Sequence, residues 1–341
     1  MATKPSLSIC IPTYNRSGYL AELLDSIIAQ NLPEIEVVIS DDASPDDTKA
    51  VAASYEAKFK KFRYIQHPEN IGLDRNFLAV IAAATGDYVW LMGDDDRLEP
   101  GGAQRVLDAF ERWPGISGLT LGVIDYDPDM KFPTGLRTTP QTQVMDSVGQ
   151  VFGEMADILG FMSALVVRRD AWLEIAEEPE TTRFRNFYVQ LYIVGVIIGR
   201  FGRWGVVHEP CVGFRTSNDQ LMAKLGWVDR LKIDVVAYTQ LGDVLLSKDP
   251  VAKKAMRKRI FDVHVMARLH NSKTTSGATP DIMAACRLLF KYYGDMPQLW
   301  TKGLPTLFAP NWTIRLARVA YKRFSRSSGA ARARQLAAPR G

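Results

Sequence analysis

Short apolar runs alternate with stretches of helical period over the first hundred residues. Leu7 to Ile11 is followed by a helical pattern from about Tyr19 to Gln30, and a second run, Glu36 to Ser40, comes after it. Beyond Asp41 and Asp42, Ser44 is placed to cap a helix with Asp47 at its third position, and that helix ends near Phe59. The run Phe62 to Gln66, a helix over Asp74 to Ala84 and the apolar strand Tyr88 to Met92 complete the series. Four strands separated by three helices predict a mostly parallel sheet with covering helices. A helix over Gly101 to Trp113 and a strand over Ser117 to Asp125 continue it, whereas Asp127 to Gln143 is rich in Pro, Thr and basic residues and has no period, which predicts a long functional loop. Next come a strand over Leu159 to Arg168, helices over Ala171 to Ala176 and about Phe187 to Gly199, and two short strands at Trp204 to Val207 and Val212 to Arg215. From about Leu221 the pattern is helical, with segments at Trp227 to Leu241, Pro250 to Leu269, Pro280 to Tyr293 and Trp312 to Arg326.

Composition adds a size class and an asymmetry. A chain of 341 residues that is 47% hydrophobic and 23% charged is a folded globular protein, and disorder, collagen and coiled coil are excluded. The net charge of +4 is unevenly placed. Asp295 is the last acidic residue and nine Lys or Arg follow it, so the first 295 residues hold 33 basic against 38 acidic side chains. An acidic body therefore carries a basic tail. The terminal helical pattern sets Arg315, Arg318, Lys322 and Arg323 among Ile314, Leu316, Val319, Ala320 and Phe324. This suits a helix on an anionic membrane surface and equally one packed on the body with a basic solvent face. Nucleic acid is disfavoured, because the body is acidic and no aromatic residues interleave the basic sites. Three cysteines without CxxC spacing argue against a disulfide scaffold or thiolate metal site and suit a reducing compartment. No signal-peptide core is expected at the N-terminus, and Val189 to Ile198 is too short to cross a bilayer. The expected location is cytoplasmic, either free or peripheral at the cytoplasmic face of the inner membrane.

Ligands of doubly wound sheets bind beyond the carboxyl ends of the strands, so the residues after each apolar run are the candidates for chemistry. The first run ends in Pro12, Thr13, Tyr14, Asn15 and Arg16, the second in Asp41 and Asp42, and the fourth in Gly93, Asp94, Asp95 and Asp96. GxGxxG, GxxxxGK[ST] and GxSxG are all missing, which disfavours hydride transfer, ATP hydrolysis and serine hydrolysis. Three consecutive aspartates after a buried strand repel one another unless a cation neutralises them, and carboxylate oxygen is the preferred ligand of Mg²⁺ and Mn²⁺. His208 follows Trp204 to Val207 with Glu209 beside it. It is a candidate for the metal shell or for a donor to a diphosphate, and equally a satisfied strand-end histidine. Glu209 is a candidate base, or a cap or partner of Arg215.

The order of these pieces carries a resemblance. SLSICIPTYNR at Ser6 to Arg16, EVVISDDAS at Glu36 to Ser44, NIGLDRNF at Asn70 to Phe77 and TGDYVWLMGDDD at Thr85 to Asp96 are similar to an inverting family 2 glycosyltransferase of the GT-A type. The remainder is loosely similar to bacterial abequosyltransferase-type enzymes of surface polysaccharide assembly. The resemblance implies a GT-A fold, Rossmann-like with a mostly parallel central sheet, as a catalytic domain over residues 1–220. Its nucleotide-sugar half would reach about residue 115 and its acceptor half span 116–220. A more helical region over 221–325 and a flexible basic tail over 326–341 would follow.

By the same resemblance, Pro12, Thr13, Tyr14, Arg16 and Asn70 would line the nucleotide pocket, Asp42 would accept a hydrogen bond from the base, and Arg75 would lie near the phosphates. Asp94 and Asp96, with Asp95 between them, would hold Mn²⁺ or Mg²⁺ bridging the diphosphate of a UDP-, GDP-, CDP- or dTDP-sugar. The expected acceptor is a hydroxyl of a saccharide or of a lipid-linked saccharide. Inversion needs a base to take the acceptor proton. Many relatives carry it in an ED pair, but the corresponding stretch Thr181 to Gln190 has no acidic residue. Asp157, just before the strand at Leu159, is the leading candidate, with an ordinary turn carboxylate as the competing reading. Two other functions are compatible with these motifs: a noncatalytic sugar- or polymer-binding protein with a retained nucleotide pocket, and a nucleotidyltransferase.

Overall fold

The computed structural model describes residues 4–137, 139–218, 225–274 and 281–317. Its first part follows the predicted alternation closely. Strands β1 (Leu7–Thr13), β2 (Glu36–Asp41), β3 (Phe62–Gln66) and β4 (Tyr88–Leu91) are joined through helices α1 (Ser17–Ile28), α2 (Thr48–Tyr55) and α3 (Leu73–Ala83), and the strands pair in parallel in the order β3-β2-β1-β4. Every residue of β1, β2 and β4 is buried, as expected of strands covered on both faces. Ser44 does not cap α2: its backbone N–H donates to Asp41, and the helix starts at Thr48, whose N–H and hydroxyl both donate to Asp46.

Beyond β4 the expectation of a mostly parallel, Rossmann-like sheet is overturned. The sheet has ten strands in the order β3-β2-β1-β4-β9-β6-β10-β5, with β7 on β6 and β8 on β10. Strand β9 (Leu165–Arg168) lies antiparallel between β4 and β6 (Gly118–Tyr126). Strands β5 (Arg97–Leu98) and β8 (Gln143–Met145) run antiparallel to β10 (Trp204–Arg215), and β7 (Pro133–Arg137) runs antiparallel to β6. Only β6 and β10 add a further parallel pair. The architecture is thus an α/β domain on a large mixed sheet, with a helical C-terminal region.

Three local corrections follow. Leu159 to Arg168 is not one strand: helix α5 (Val148–Leu159) ends there, a 3₁₀ turn covers Met162–Ala164, and only the last four residues form β9. The segment Asp127 to Gln143 is no structureless loop, since β7 lies within it. Trp204 to Val207 and Val212 to Arg215 are one strand, broken in register at Pro210, which has no N–H to give to a ladder. Helices α4 (Gly102–Arg112), α6 (Arg169–Ala176) and α7 (Val189–Phe201) complete the part built around the sheet.

By its contacts the chain divides into two compact units. Among the described residues, one comprises those up to Val148 together with Ile158–Thr216; the other takes Gly149–Asp157 and those from Ser217 onward. The second unit buries Leu231, Val235, Phe261, Leu269, Leu289 and Leu299 among its helices Trp227–Leu245, Pro250–Ile260, Met266–Thr274 and Ile282–Tyr293. The predicted helix Pro250 to Leu269 is interrupted by a π turn at Phe261–Val265. Residues 311–317 are helical, while the rest of the predicted terminal helix and the 326–341 tail lie outside the described residues. Among those residues, no helix is long and apolar enough to cross a membrane.

Candidate active site

The three aspartates occupy a turn at the carboxyl end of β4, beside the end of β1, because those strands pair in register and Met92 N–H still bonds Cys10 O. Asp96 N–H closes the turn on Gly93 O at 3.2 Å. The carboxylates meet side chains from three other parts of the chain. Thr13, the last residue of β1, donates its hydroxyl to Asp94 at 2.8 Å. Arg16, at the start of α1, places one guanidinium nitrogen 3.0 Å from Asp94 and 3.0 Å from Asp95. Ser163, in the 3₁₀ turn before β9, donates to Asp96 at 2.5 Å and accepts from Gly93 N–H at 2.9 Å. A side chain at position 93 would bring its Cβ within 2.9 Å of Asp96 Oδ2 and 3.2 Å of Ser163 Oγ, so these side chains would have to shift to admit it.

Burial of Asp94 and Asp96 beside the half-buried Asp95 has an electrostatic consequence. Desolvation, helped by the neighbouring Asp95, pushes Asp94 up to about 6 even though Arg16 and Thr13 pull the other way. Asp96 is driven well above the usual carboxylate range by desolvation and Asp95, against hydrogen bonds from Ser163 and Arg215 N–H and the charge of Arg137. The carboxylates offer only oxygen, the ligand type that hard divalent cations take. Among the described residues, no group of three or more His, Cys, Asp or Glu side chains is arranged to hold a metal.

Two arginines that sequence reasoning did not nominate help form this end of the sheet. Arg215, last in β10 and buried, gives its backbone N–H to Asp96 and its Nε to Asp95 O at 3.0 Å. It also donates to Pro128 O and to Glu22, each at 2.5 Å, and lies over the Tyr19 ring. Its partner is therefore Glu22, not Glu209. Arg137 lies over the rings of Phe161 and Phe214, at 4.5 and 4.0 Å, and bonds Asp125 at 2.8 Å. Arg215 follows an apolar run and was open to the same strand-end reasoning as Asp94. Ser163, within FMSAL, carried no signal.

The other nominated residues are placed as follows. Pro12 is buried in β1, and Tyr14 is 42% exposed just beyond it. Asp42, after β2, accepts from Ile71 N–H at 2.6 Å and Gly72 N–H at 3.0 Å, and its backbone carbonyl accepts from the side chain of Asn70 at 3.2 Å. The carboxylate thus fixes the loop leading into α3, where Gly72 takes φ +85°. Arg75, in the first turns of α3, is exposed.

His208 and Glu209 are not brought to the aspartates. They precede Arg215 on β10 by seven and six residues, roughly 20 Å at the rise of a strand. His208 instead bonds Thr139, and Glu209 accepts from the Thr142 hydroxyl at 2.9 Å. Asp157 stands on α5, within the second unit, where its carboxylate is ion-paired with Arg259 and its backbone carbonyl faces His264. It is neither a turn residue nor free of a cationic partner.

The family model "Glycosyl transferase family 2" matches residues 8–163. The abequosyltransferase RfbV of Salmonella typhimurium is 30% identical over 270 residues, covering 73% of this chain and 78% of that enzyme. The chain belongs to glycosyltransferase family 2. It is a sugar-transferring enzyme, and a purely binding role falls away. The glycosyltransferase is also 34% identical over 106 residues to the GalNAc(5)-diNAcBac-PP-undecaprenol beta-1,3-glucosyltransferase of Campylobacter jejuni, covering 28% of this chain and 32% of that one. In fold it is similar to S. aureus TarS 1–349, solved in complex with UDP-GlcNAc: TM-score 0.59, 16% identity, 86% of this chain and 82% of that one.

Proposed function

We propose that this glycosyltransferase moves a sugar, with inversion, from a nucleotide-sugar donor to a hydroxyl of a saccharide in surface polysaccharide or glycan assembly, the acceptor being lipid-linked at the cytoplasmic membrane face. The observation that carries the reading is the buried Asp94-Asp95-Asp96 turn, held from four elements by Thr13, Arg16, Ser163 and Arg215. Its similarity to an abequosyltransferase of Salmonella and a glucosyltransferase of Campylobacter, and the UDP-GlcNAc bound by TarS, support it.

Asp94 and Asp96 would hold Mn²⁺ or Mg²⁺, with Asp95 beside them. When bound, such a cation neutralises charge on the leaving nucleoside diphosphate. The chain's own residues do the rest of the donor-side work. Arg16 restrains Asp94 and Asp95 while adding positive charge, and Thr13 fixes one Asp94 oxygen, so the carboxylates need not reorganise during reaction. Tyr14 would offer its exposed ring to the nucleotide base, Asp42 and Asn70 set the loop that would border it, and the exposed Arg75 on the first turns of α3 would be the cation for the phosphates.

The test is a donor screen that measures nucleoside diphosphate release with and without Mn²⁺ or Mg²⁺, on the wild type and on Asp96→Ala. The expected outcome is metal-dependent release with one or more UDP-, GDP-, CDP- or dTDP-sugars, reduced about 100-fold or more in the variant. Release that ignores both the metal and Asp96 would refute the mechanism.

A further inference from the structure

The C-terminal unit presents an outward face that does not read as an ordinary solvent surface. Helix Ile282–Tyr293 packs inward through Ala285, Cys286, Leu289 and Tyr293. Its other side shows Met283 and Phe290, 60% and 44% exposed, with Arg287 and Lys291 exposed among them. At 3.6 residues per turn these four positions form one stripe. Trp300 extends the stripe: its ring meets Phe290 edge-on at 5.4 Å, its indole N–H is anchored on Gly294 O at 3.0 Å, and it is 55% exposed. No acidic residue lies within the helix; Asp281 at its N-cap accepts from Ala284 N–H at 2.9 Å, and Asp295 just beyond it is paired with Arg257 at 2.7 Å. In the helical residues 311–317 the same character returns, with Trp312 and Leu316 exposed one turn apart and Arg315 between them.

Large apolar side chains clustered on a surface mark a contact of some kind. Aromatic rings interleaved with Lys and Arg, without carboxylates, are the composition of a protein surface lying at the boundary of an anionic bilayer. We infer that the face formed by Met283, Arg287, Phe290, Lys291 and Trp300 docks on an anionic lipid surface, the rings entering the headgroup layer and the two cations pairing with lipid phosphates. Charge chooses this occupant. A second copy in a symmetric dimer would set the basic stripe against itself, and the flanking carboxylates are already engaged, Asp281 in capping its own helix and Asp295 with Arg257. The inference deepens the reading of a lipid-linked acceptor, but vesicle binding needs no donor, acceptor or metal, so the two can fail separately.

The experiment is flotation of the full chain with vesicles of phosphatidylcholine alone or mixed with phosphatidylglycerol, at low and high salt, for three variants whose folding is checked by thermal melting. Wild type should float with the anionic vesicles only, and less at high salt. Arg287→Glu with Lys291→Glu, and Phe290→Ser with Trp300→Ser, should each weaken binding about tenfold or more. Lys322→Gln with Arg323→Gln, further along the chain, should weaken it less. Equal binding to neutral vesicles, wild-type binding by the charge-reversed variant, or loss confined to the variant at Lys322 and Arg323 would each overturn the proposal. So would a dimer by light scattering that the serine variant converts to monomer, since the face would then be a self-interface. The charge-reversed variant keeps the test decisive if the serine variant does not fold.

Discussion

At Arg215 one side chain ties four segments together. Its guanidinium reaches the carbonyls of Asp95 and Pro128 and the carboxylate of Glu22 while lying over Tyr19, and its own N–H holds Asp96. A planar five-donor fork can satisfy three acceptors in different directions, whereas an ammonium group is a compact point charge on a flexible stem. Arg215→Lys should therefore keep the charge and lose the geometry. The expected cost is about 2 kcal/mol of stability, read from urea unfolding. Turnover should fall by about 10- to 100-fold through a displaced Asp96, with metal dependence weakened. A variant with wild-type turnover would remove Arg215 from the positioning of the turn, whatever its stability.

Among the elements, α7 shows how a helix can begin without a local cap. Tyr188 at its N-cap has no capping side chain, and Phe187 takes φ +75°. The exposed amides are met from another helix: Asp74, on α3, accepts from Phe187 N–H at 2.9 Å and from Val189 N–H at 3.3 Å. Burial raises the pKa of Asp74, although both amides and Arg185 pull against it. Asp74→Ala should lower stability by about 1 to 2 kcal/mol and increase amide exchange in the first turn of α7 more than in α3. Unchanged exchange there would show that Asp74 does not cap the helix. Such a long-range cap is invisible in the sequence, where Thr181 to Gln190 offers no acidic residue. The parallel half of the sheet was legible, because buried parallel strands and their crossover helices leave long apolar periods. The antiparallel half was not. Val151, Phe152, Met155, Ala156, Ile158 and Leu159 are buried at the spacing of helix α5, yet its end merges into the apolar run that becomes β9. Where helix, turn and strand are all buried, hydrophobicity alone sets no boundary. The aspartate turn was readable because charge after an apolar strand stands out, while its supports, Ser163 and Arg137, depend on pairings between distant strands.

Taken as a whole, the molecule stores opposite acid responses in its two units. In the first, burial raises Asp94 and Asp96 above the ordinary carboxylate value. The folded state then keeps protons that the unfolded chain has released, so without metal its stability contribution is fullest below about pH 4 and falls as pH rises toward 6. In the second unit Asp234 is fully buried with Arg230, Arg268 at 3.1 Å and His264 close by. Burial alone would push it up, but His264 and the two guanidinium groups outweigh that and hold it well below the carboxylate range. Its contribution is present above the unfolded pKa of about 4 and is lost as pH falls from there toward the folded value. Asp234→Asn should cost about 3 to 5 kcal/mol near neutrality, because three cationic or titratable partners lose their counter-charge. The gap between variant and wild type should then narrow as pH falls below about 4, where protonation begins to cost the wild type the same charge. Urea unfolding of both proteins from neutral to acid pH, with segment-resolved amide exchange to separate the units, measures it. A gap that stays constant into the acid limb would place the acid sensitivity of the second unit somewhere other than Asp234.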